Sequence, residues 1–225
     1  MDKLEEIYDV LLENFGEQEW WPADSNFEVI VGAILTQNTS WKNVEKVINR
    51  MKQEEILSME NIIEIKEDKL QQIIRPSGFY RQKARRLKRI SKQIYESASS
   101  LEDFFEDKNI DELRKELLNI KGIGKETADS IILYSAHKPS FVVDAYTKRI
   151  FKRIGMDIGE SYNEIKSFLE DNLHEDVEIY KEYHALLVEL AKNHCKKKPE
   201  CKECPLSYLC GYFEKNTIKI KGNKN

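Results

Sequence analysis

Apolar residues recur along most of this chain at the spacing of one face of an α-helix. The first segment shows the i, i+3, i+4, i+7, i+8 pattern with Leu4, Ile7, Tyr8, Leu11 and Leu12. Comparable patterns predict further helices over residues 26–36, 40–52, 59–65, 67–74, 79–97, 125–137, 145–155, 162–173 and 177–194, and one capped by Asp111 that runs through Leu118. No segment shows the period-two alternation of a strand, so we predict an all-α fold.

The composition is that of a folded chain with one large or two small domains. The 225 residues are 40% hydrophobic and 34% charged, with a formal net charge of −4, which supplies a core and excludes wholesale disorder. No apolar run approaches the roughly 18 residues of a membrane span, and the N-terminus lacks a secretory signal. We therefore expect a soluble cytoplasmic protein without a membrane partner.

Basic side chains are concentrated in three places, although the whole chain is slightly acidic. Residues 75–95 hold eight basic side chains and no acid, and smaller clusters lie at 148–153 and 192–202. Clustered Lys and Arg are typical of a surface that binds a polyanion such as nucleic acid. For any one cluster, a solvated helix face is the alternative.

All four cysteines lie near the C-terminus with the spacing C-x5-C-x2-C-x5-C. They are Cys195, Cys201, Cys204 and Cys210. In a reducing compartment this density indicates a metal site rather than disulfides. Four thiolates can hold zinc or an iron–sulfur cluster, and the single C-x2-C pair favours the cluster. We expect a structural role for this centre rather than redox catalysis.

The stretch LLNIKGIGKETADSIIL contains two helical patterns that flank a short glycine turn, Gly122-Ile123-Gly124. The amides of Gly124, Lys125 and Glu126 would open the second helix and form a phosphate site that is independent of base sequence. The alternative is an ordinary helix–helix corner with a glycine cap.

A carboxylate follows this stretch at the start of the next helical pattern. Asp144 comes directly after the apolar triplet Phe141-Val142-Val143. Aspartate is a good N-cap, and capping is therefore one interpretation. The second is chemical, because a carboxylate near a phosphate-binding hairpin could stabilise a cationic transition state or orient water.

In this order, the hairpin, the segment VVDAYTKRI and the four-cysteine loop resemble the helix–hairpin–helix DNA glycosylases of the endonuclease III superfamily. The resemblance covers nearly the whole chain and includes ILTQNTSW at 34–41 and SGFYRQKARRL at 77–87. The segment EWWP at 19–22, together with these motifs, is most similar to the 3-methyladenine DNA glycosylase III type.

The resemblance implies a two-domain helical fold and a monomer that binds double-stranded DNA containing a damaged base. One domain is expected to span 24–136, with six helices and the helix–hairpin–helix at about 113–137. Residues 1–23 and 137–225 are expected to form the second domain, with an iron–sulfur loop at 195–210.

The resemblance also implies a role for each candidate residue. Asp144 matches the family's catalytic aspartate, Gln37 the side chain that fills the gap left by a flipped base, and Phe79 the wedge on the opposite side. The implied DNA contacts are Gln37, Phe79, Tyr80, Arg81, Lys83, Gly122, Gly124 and Lys125. The implied base pocket is Trp20, Trp21 and Trp41, and the implied ligands of a [4Fe–4S] cluster are Cys195, Cys201, Cys204 and Cys210.

Three positions depart from the family pattern. Glu126 stands where bifunctional members carry a nucleophilic Lys, so no Schiff base with the sugar and no lyase activity are expected. Lys121 stands where the family often has Pro. The first cysteine gap is x5 instead of the usual x6, which keeps zinc as an alternative to the cluster.

The resulting expectation is a monofunctional glycosylase of base excision repair that releases an alkylated purine similar to 3-methyladenine. One alternative is a bifunctional or pyrimidine- or mismatch-specific glycosylase of the endonuclease III type. Another is a DNA-binding module without catalysis, and a weaker one is an iron–sulfur electron carrier.

Overall fold

The secondary structure is helical throughout the described part of the chain, without a strand, as the periodicity predicts. The computed structural model describes residues 3–222, with side chains through residue 216; the predicted domain ends at 1–2 and 223–225 lie outside it. The α-helices are α1 Lys3–Phe15, α2 Asn26–Leu35, α3 Trp41–Gln53, α4 Met59–Glu64, α5 Glu67–Ile74, α6 Tyr80–Ser97, α7 Leu101–Glu106, α8 Ile110–Asn119, α9 Lys125–Tyr134, α10 Ala145–Ile154, α11 Tyr162–Asn172, α12 Val177–Asn193 and α13 Gly211–Gly222. Short 3₁₀-helices lie at Arg75–Ser77 and Ser207–Leu209.

The chain divides into two compact units. Trp21–Ser140 forms the hairpin unit, and Met1–Trp20 with Phe141–Asn225 forms the terminal unit. The boundaries therefore lie at 20/21 and 140/141, a few residues outside the expected segment 24–136. The hairpin unit holds the eight helices α2–α9 where six were expected. One of them, the six-residue α7, was not among the helices predicted from the sequence.

Helix α2 is the centre of the hairpin unit. Nine of its ten residues, from Phe27 to Leu35, are buried, and it packs against α3, α6 and α9. Ser25 caps it by accepting a hydrogen bond from the Glu28 amide. A helix that is apolar on most faces must be surrounded by other elements, which is what the sequence predicts for this segment.

The N-cap of helix α8 lies two residues earlier than the sequence predicts. Asn109, not Asp111, is the N-cap, and its side chain accepts from the Glu112 amide while Glu112 accepts from the Asn109 amide. This reciprocal capping box satisfies two amides at once, which a lone Asp111 could not do.

The terminal unit is built around α12. Helices α1 and α10 both pack on α12, and the Tyr183 hydroxyl on α12 donates to the Leu4 carbonyl on α1 at 2.9 Å. The rings of Tyr8 and Tyr183 meet edge to face with centroids 5.3 Å apart. Within the described residues, no helix has the length and apolar character needed to cross a membrane.

Candidate active site

The turn between α8 and α9 combines exposed glycines with buried isoleucines. Ile120 and Ile123 are buried, whereas Gly122 and Gly124 are exposed. Gly122 has φ +102°, and a Cβ there would meet Arg86 Nε at 2.5 Å, so both backbone and space require glycine. No side chain caps α9 at Gly124, and a Cβ at Gly124 would meet nothing within 4 Å. The first amides of α9 therefore have no side-chain cap and belong to exposed residues, as an anion site requires.

A buried ion pair joins the two helices of the hairpin. Arg114 on α8 donates to both carboxylate oxygens of Asp129 on α9, at 2.7 and 3.1 Å. Asp129 is fully buried and also accepts from the Ser140 hydroxyl at 2.8 Å. This bidentate geometry fixes both the distance and the rotation of α9 relative to α8.

Gln37 is held from two sides in the loop after α2. Its Nε2 donates to Thr127 Oγ1 at 2.8 Å, and Arg86 Nη1 donates to its Oε1. The same Arg86 side chain packs against Gly122. The candidate gap-filling residue and the glycine turn are thus linked through Arg86.

Phe79 has the most unusual backbone among the candidate residues. It follows Gly78 at φ +67° and itself has φ +46° and ψ +27°, the left-handed region that large L-residues avoid. Its ring is 62% exposed, although it is large and apolar. An exposed aromatic side chain on a strained turn is consistent with the predicted wedge.

Lys83 does not lie at the surface, where a DNA contact would have to be. It was expected to contact DNA, but its side chain is completely buried, and Nζ donates to the carbonyls of Leu35 at 2.9 Å and Ser77 at 2.6 Å. Burial, and secondarily the nearby Arg86, lower the pKa of Lys83 to about 8. The side chain points into the protein because position 83 shares the buried face of α6 with Leu87 and Ile90.

The other predicted DNA contacts on α6 and α9 are accessible to a partner in solution. Arg81 is exposed and lies with its guanidinium 5.7 Å from the centroid of the half-buried Tyr80 ring. Lys125 is exposed in the first turn of α9. Arg89, also exposed, donates to the Lys121 carbonyl at 3.4 Å and so lies beside the glycine turn.

Two of the three predicted pocket tryptophans meet in the hairpin unit. The Trp21 and Trp41 rings are perpendicular with centroids 5.2 Å apart, and Trp21 also contacts Tyr134 at 5.4 Å. Trp21 lies against Gly32, where a Cβ would approach its ring to 3.0 Å. Tyr134 was not predicted as part of this cluster, although it ends the buried face of α9. Trp20 belongs to the terminal unit, where Lys192 Nζ lies 5.4 Å from the centroid of its ring.

Asp144 is the N-cap of α10, and the cap engages one of its oxygens. Oδ1 accepts from the Thr147 amide at 2.7 Å and from Thr147 Oγ1 at 2.9 Å. Oδ2 lies 3.9 Å from Nε2 of His184, a buried residue in the middle of α12. Burial lowers the pKa of His184, against the opposing effect of Asp144. His184 was given no role from the sequence, because only the fold brings α12 beside Asp144.

The cysteine loop is tied to α10 by two arginines. Arg149 Nε donates to the Cys195 carbonyl at 2.8 Å, and Arg153 Nη1 donates to the Lys196 carbonyl at 2.6 Å and lies 3.2 Å from Cys195 Sγ. Burial raises the pKa of Cys204 to about 11, and the other three thiols add to this effect.

The four thiols therefore lie close enough to interact electrostatically. They offer four thiolate donors, which suits a cluster or zinc. Among the described residues, however, no three His, Cys, Asp or Glu side chains are already close enough to hold a metal ion. The loop has the right donors, but it is not closed into a ligand shell.

Residues 31–175 match the HhH-GPD superfamily of base excision DNA repair proteins. The chain belongs to this family. A protein of Methanocaldococcus jannaschii with the provisional name of DNA repair glycosylase is 53% identical over 212 residues, which are 93% of this chain and 96% of that protein. The resemblance predicted from the motifs is confirmed, and the chain is a DNA glycosylase of base excision repair.

Two further relatives represent different branches of this family. Endonuclease III of Thermotoga maritima is 28% identical over 190 residues, 84% of each chain. The structure of H. pylori 3-methyladenine DNA glycosylase bound to 1,N6-ethenoadenine has a TM-score of 0.73 and 33% identity, and it covers 85% of this chain and 98% of that one. This chain is thus similar both to an endonuclease III and to a glycosylase named for 3-methyladenine.

Proposed function

We propose that this glycosylase is monofunctional and hydrolyses the N-glycosidic bond of an alkylated purine in double-stranded DNA. The observation that carries the proposal is that the two carboxylate oxygens of Asp144 make different contacts. Oδ1 accepts the capping hydrogen bonds at the start of α10. Oδ2 takes no part in the cap and is available for catalysis. This second oxygen lies beside the buried His184, and Asp144 matches the family's catalytic position, which together support a catalytic role.

The DNA strand is held at the start of α9. The uncapped amides after Gly124, with Lys125 beside them, bind a backbone phosphate without regard to sequence. The target nucleotide leaves the stack, which costs a few kcal/mol. Gln37 and Phe79 offset part of this cost by filling the space that the nucleotide leaves. Thr127 holds the amide of Gln37 in place from within the protein.

Bond cleavage generates positive charge at C1′ of the sugar. The ionised Asp144 carboxylate stabilises this oxocarbenium character and orients a water molecule toward C1′. The base departs with the electron pair of the C1′–N bond, the water oxygen bonds to C1′, and the water loses a proton. A cationic alkylated purine leaves as a neutral molecule, and for that reason it needs no protonation by the protein.

The preference for an alkylated purine is supported by the aromatic cluster and by the relative from H. pylori. Trp21 contacts both Trp41 and Tyr134 in the hairpin unit, and electron-rich rings attract a cationic base through cation–π interaction. The 33% identical protein of known structure is a 3-methyladenine DNA glycosylase and holds a modified adenine.

The four cysteines would hold a [4Fe–4S] cluster, with zinc as the less favoured occupant. The ligands would be Cys195, Cys201, Cys204 and Cys210, and the bound group would supply a fixed structural centre for the loop. Arg149 and Arg153 orient this loop on α10, the helix that Asp144 caps. An optical spectrum of the purified protein, with absorbance near 400 nm for iron–sulfur, distinguishes the two groups.

Substitution Asp144→Asn separates capping from catalysis. Asparagine caps a helix as well as aspartate does, so stability changes by less than about 0.5 kcal/mol. The variant binds DNA containing 3-methyladenine but releases the base at least about 100-fold more slowly in single-turnover assays, because the stabilising charge is gone.

The matched control is Asp176→Asn at the cap of α12. Asp176 accepts from the amides of Glu178 and Ile179, so the same chemical change removes charge from a purely structural cap. Normal base release by Asp144→Asn would refute the catalytic assignment. If the wild-type protein bound DNA but released no base, the protein would be a DNA-binding module without catalysis.

The second candidate is a bifunctional glycosylase, which the similarity to endonuclease III of T. maritima favours. Cleavage by that route needs an amine that forms a Schiff base with the sugar. Glu126 offers no amine, so we expect borohydride to trap no covalent protein–DNA adduct. The Glu126→Gln variant tests whether the Glu126 carboxylate contributes to adduct formation. We expect borohydride to trap no adduct with this variant either. An adduct formed by the wild type would instead establish the bifunctional reaction.

A further inference from the structure

Three features of the hairpin unit converge on the ammonium group of Lys83. The first is the end of α2, where the Leu35 carbonyl accepts from Lys83 Nζ at 2.9 Å. Gln37 follows two residues later. A cation at the carboxyl end of a helix is stabilised by the helix dipole and by the unpaired carbonyls there.

The second feature is the strained turn before α6. The Ser77 carbonyl accepts from Lys83 Nζ at 2.6 Å, and Phe79 follows two residues later. The backbone amide of Lys83 also donates to the Phe79 carbonyl at 3.1 Å. One residue therefore holds both sides of the left-handed pair Gly78-Phe79, whose conformation costs about 1–2 kcal/mol for the non-glycine member.

The third feature is burial. Lys83 has no exposed surface, and a buried ammonium is stable only when its protons have acceptors. Both acceptors on the described residues are backbone carbonyls, Leu35 and Ser77, rather than carboxylates. The charge is therefore not part of an ion pair, and its bonds connect two loops that are otherwise about 40 residues apart in sequence, residues 35 and 77.

We propose that Lys83 is a positioning residue that sets the spacing between the two side chains inserted into DNA, Gln37 and Phe79. The proposal rests on the insertion described under the proposed function. Each inserted side chain begins two residues beyond a carbonyl that Lys83 holds, so losing the ammonium lets the two loops move independently. A displacement of about 1 Å at such a position can cost 100-fold in rate without removing any contacting group.

Lys88 provides a matched control on the same helix. Its Nζ donates to the Ile62 and Ile63 carbonyls at 3.1 and 2.9 Å, and to that of Ile65, at the end of α4. It therefore makes the same kind of bonds as Lys83, from ammonium to backbone carbonyls, but to a helix end that carries neither inserted residue. Lys83→Met and Lys88→Met should both lower thermal stability.

The test uses a short DNA duplex with an abasic-site analogue flanked by 2-aminopurine, whose fluorescence rises when neighbouring bases unstack. Wild-type protein and Lys88→Met should raise the fluorescence on binding. Lys83→Met should bind the duplex but raise the fluorescence much less, and its single-turnover release of 3-methyladenine should fall about 10- to 100-fold. If Lys83→Met does not fold, Lys83→Gln, which keeps one neutral donor, should give an intermediate signal.

The outcomes separate this proposal from the one on which it rests. An unstacking signal in Lys83→Met or Lys83→Gln equal to that of the wild type overturns the positioning role alone. A wild-type protein that releases the base but gives no unstacking signal overturns the insertion of Gln37 and Phe79, and the positioning role with it. Equal losses in Lys83→Met and Lys88→Met would assign the effect to general destabilisation and also overturn the proposal.

Discussion

The two oxygens of the Asp144 carboxylate have different contacts, one in the cap of α10 and the other beside His184. The cap of α10 orients the Asp144 carboxylate through Thr147, and this leaves Oδ2 turned toward a buried imidazole. In the proposed mechanism, a neutral His184 leaves the negative charge of Asp144 available to the oxocarbenium ion, whereas a protonated His184 would compete for that charge. The burial that lowers the pKa of His184 therefore supports the proposed role of Asp144.

The same burial makes stability depend on pH. The pKa of His184 is lower in the folded protein than in the unfolded chain, so between those two values the unfolded state binds the extra proton. Stability is therefore complete above the unfolded value of about 6.5 and falls as the pH drops below it, by at most about 1.4 kcal/mol per pH unit. Denaturant unfolding of wild type and His184→Gln between pH 5 and 8 measures this. An identical pH dependence in both proteins would show that His184 is not the group responsible for it.

Roles implied by local motifs, such as those of Gln37 and Phe79, stay predictions, whereas the burial of a charged side chain is decided by the fold. Gln37 and Phe79 lie in short segments whose turns are visible in the sequence. The resemblance placed Lys83 among the DNA contacts, although it lies four residues before Leu87 and seven before Ile90 on the apolar face of α6. That spacing is a signal that could have identified the buried position.

At the scale of elements, the hairpin depends on one ion pair as much as on its glycines. The glycine turn allows α8 and α9 to approach, but the angle between them is fixed by Arg114 and Asp129. No local pattern in the sequence indicates that residues 114 and 129 are in contact. From the sequence alone, each would be interpreted as a solvent-exposed charge. The amphipathic helices themselves were predictable, because their apolar stripes are long enough to show a period.

Substitution Asp129→Asn should destabilise the protein strongly. It leaves the Arg114 guanidinium half-satisfied beside a fully buried position, and breaking such a pair costs about 3–5 kcal/mol. The control is Glu96→Gln, which breaks the exposed pair with Lys92, 3.5 Å apart, and should cost less than about 1 kcal/mol. Urea unfolding measures both. Equal, small losses would mean that the Arg114 pair does not hold the hairpin.

At the scale of the whole molecule, a slightly acidic protein must still attract a polyanion. The net charge is −4, yet Arg81, Arg89 and Lys125 are exposed around the wedge and the glycine turn. Local potential rather than total charge governs the encounter with DNA, because charges farther away than about 10 Å are screened at moderate ionic strength.

The salt dependence of DNA binding tests which cations reach phosphates. Each phosphate contact contributes about 0.9 to the slope of log K against log salt concentration, so Arg81→Gln and Lys125→Gln should each reduce the slope by about this amount. Lys69→Gln is the control, because Lys69 is exposed but pairs with Glu54 at 3.4 Å on a helix without candidate contacts. Titrations of fluorescently labelled duplex from low to moderate salt measure the three slopes. An unchanged slope for Lys125→Gln would show that the start of α9 holds no phosphate, and DNA would then have to be gripped elsewhere on the hairpin unit.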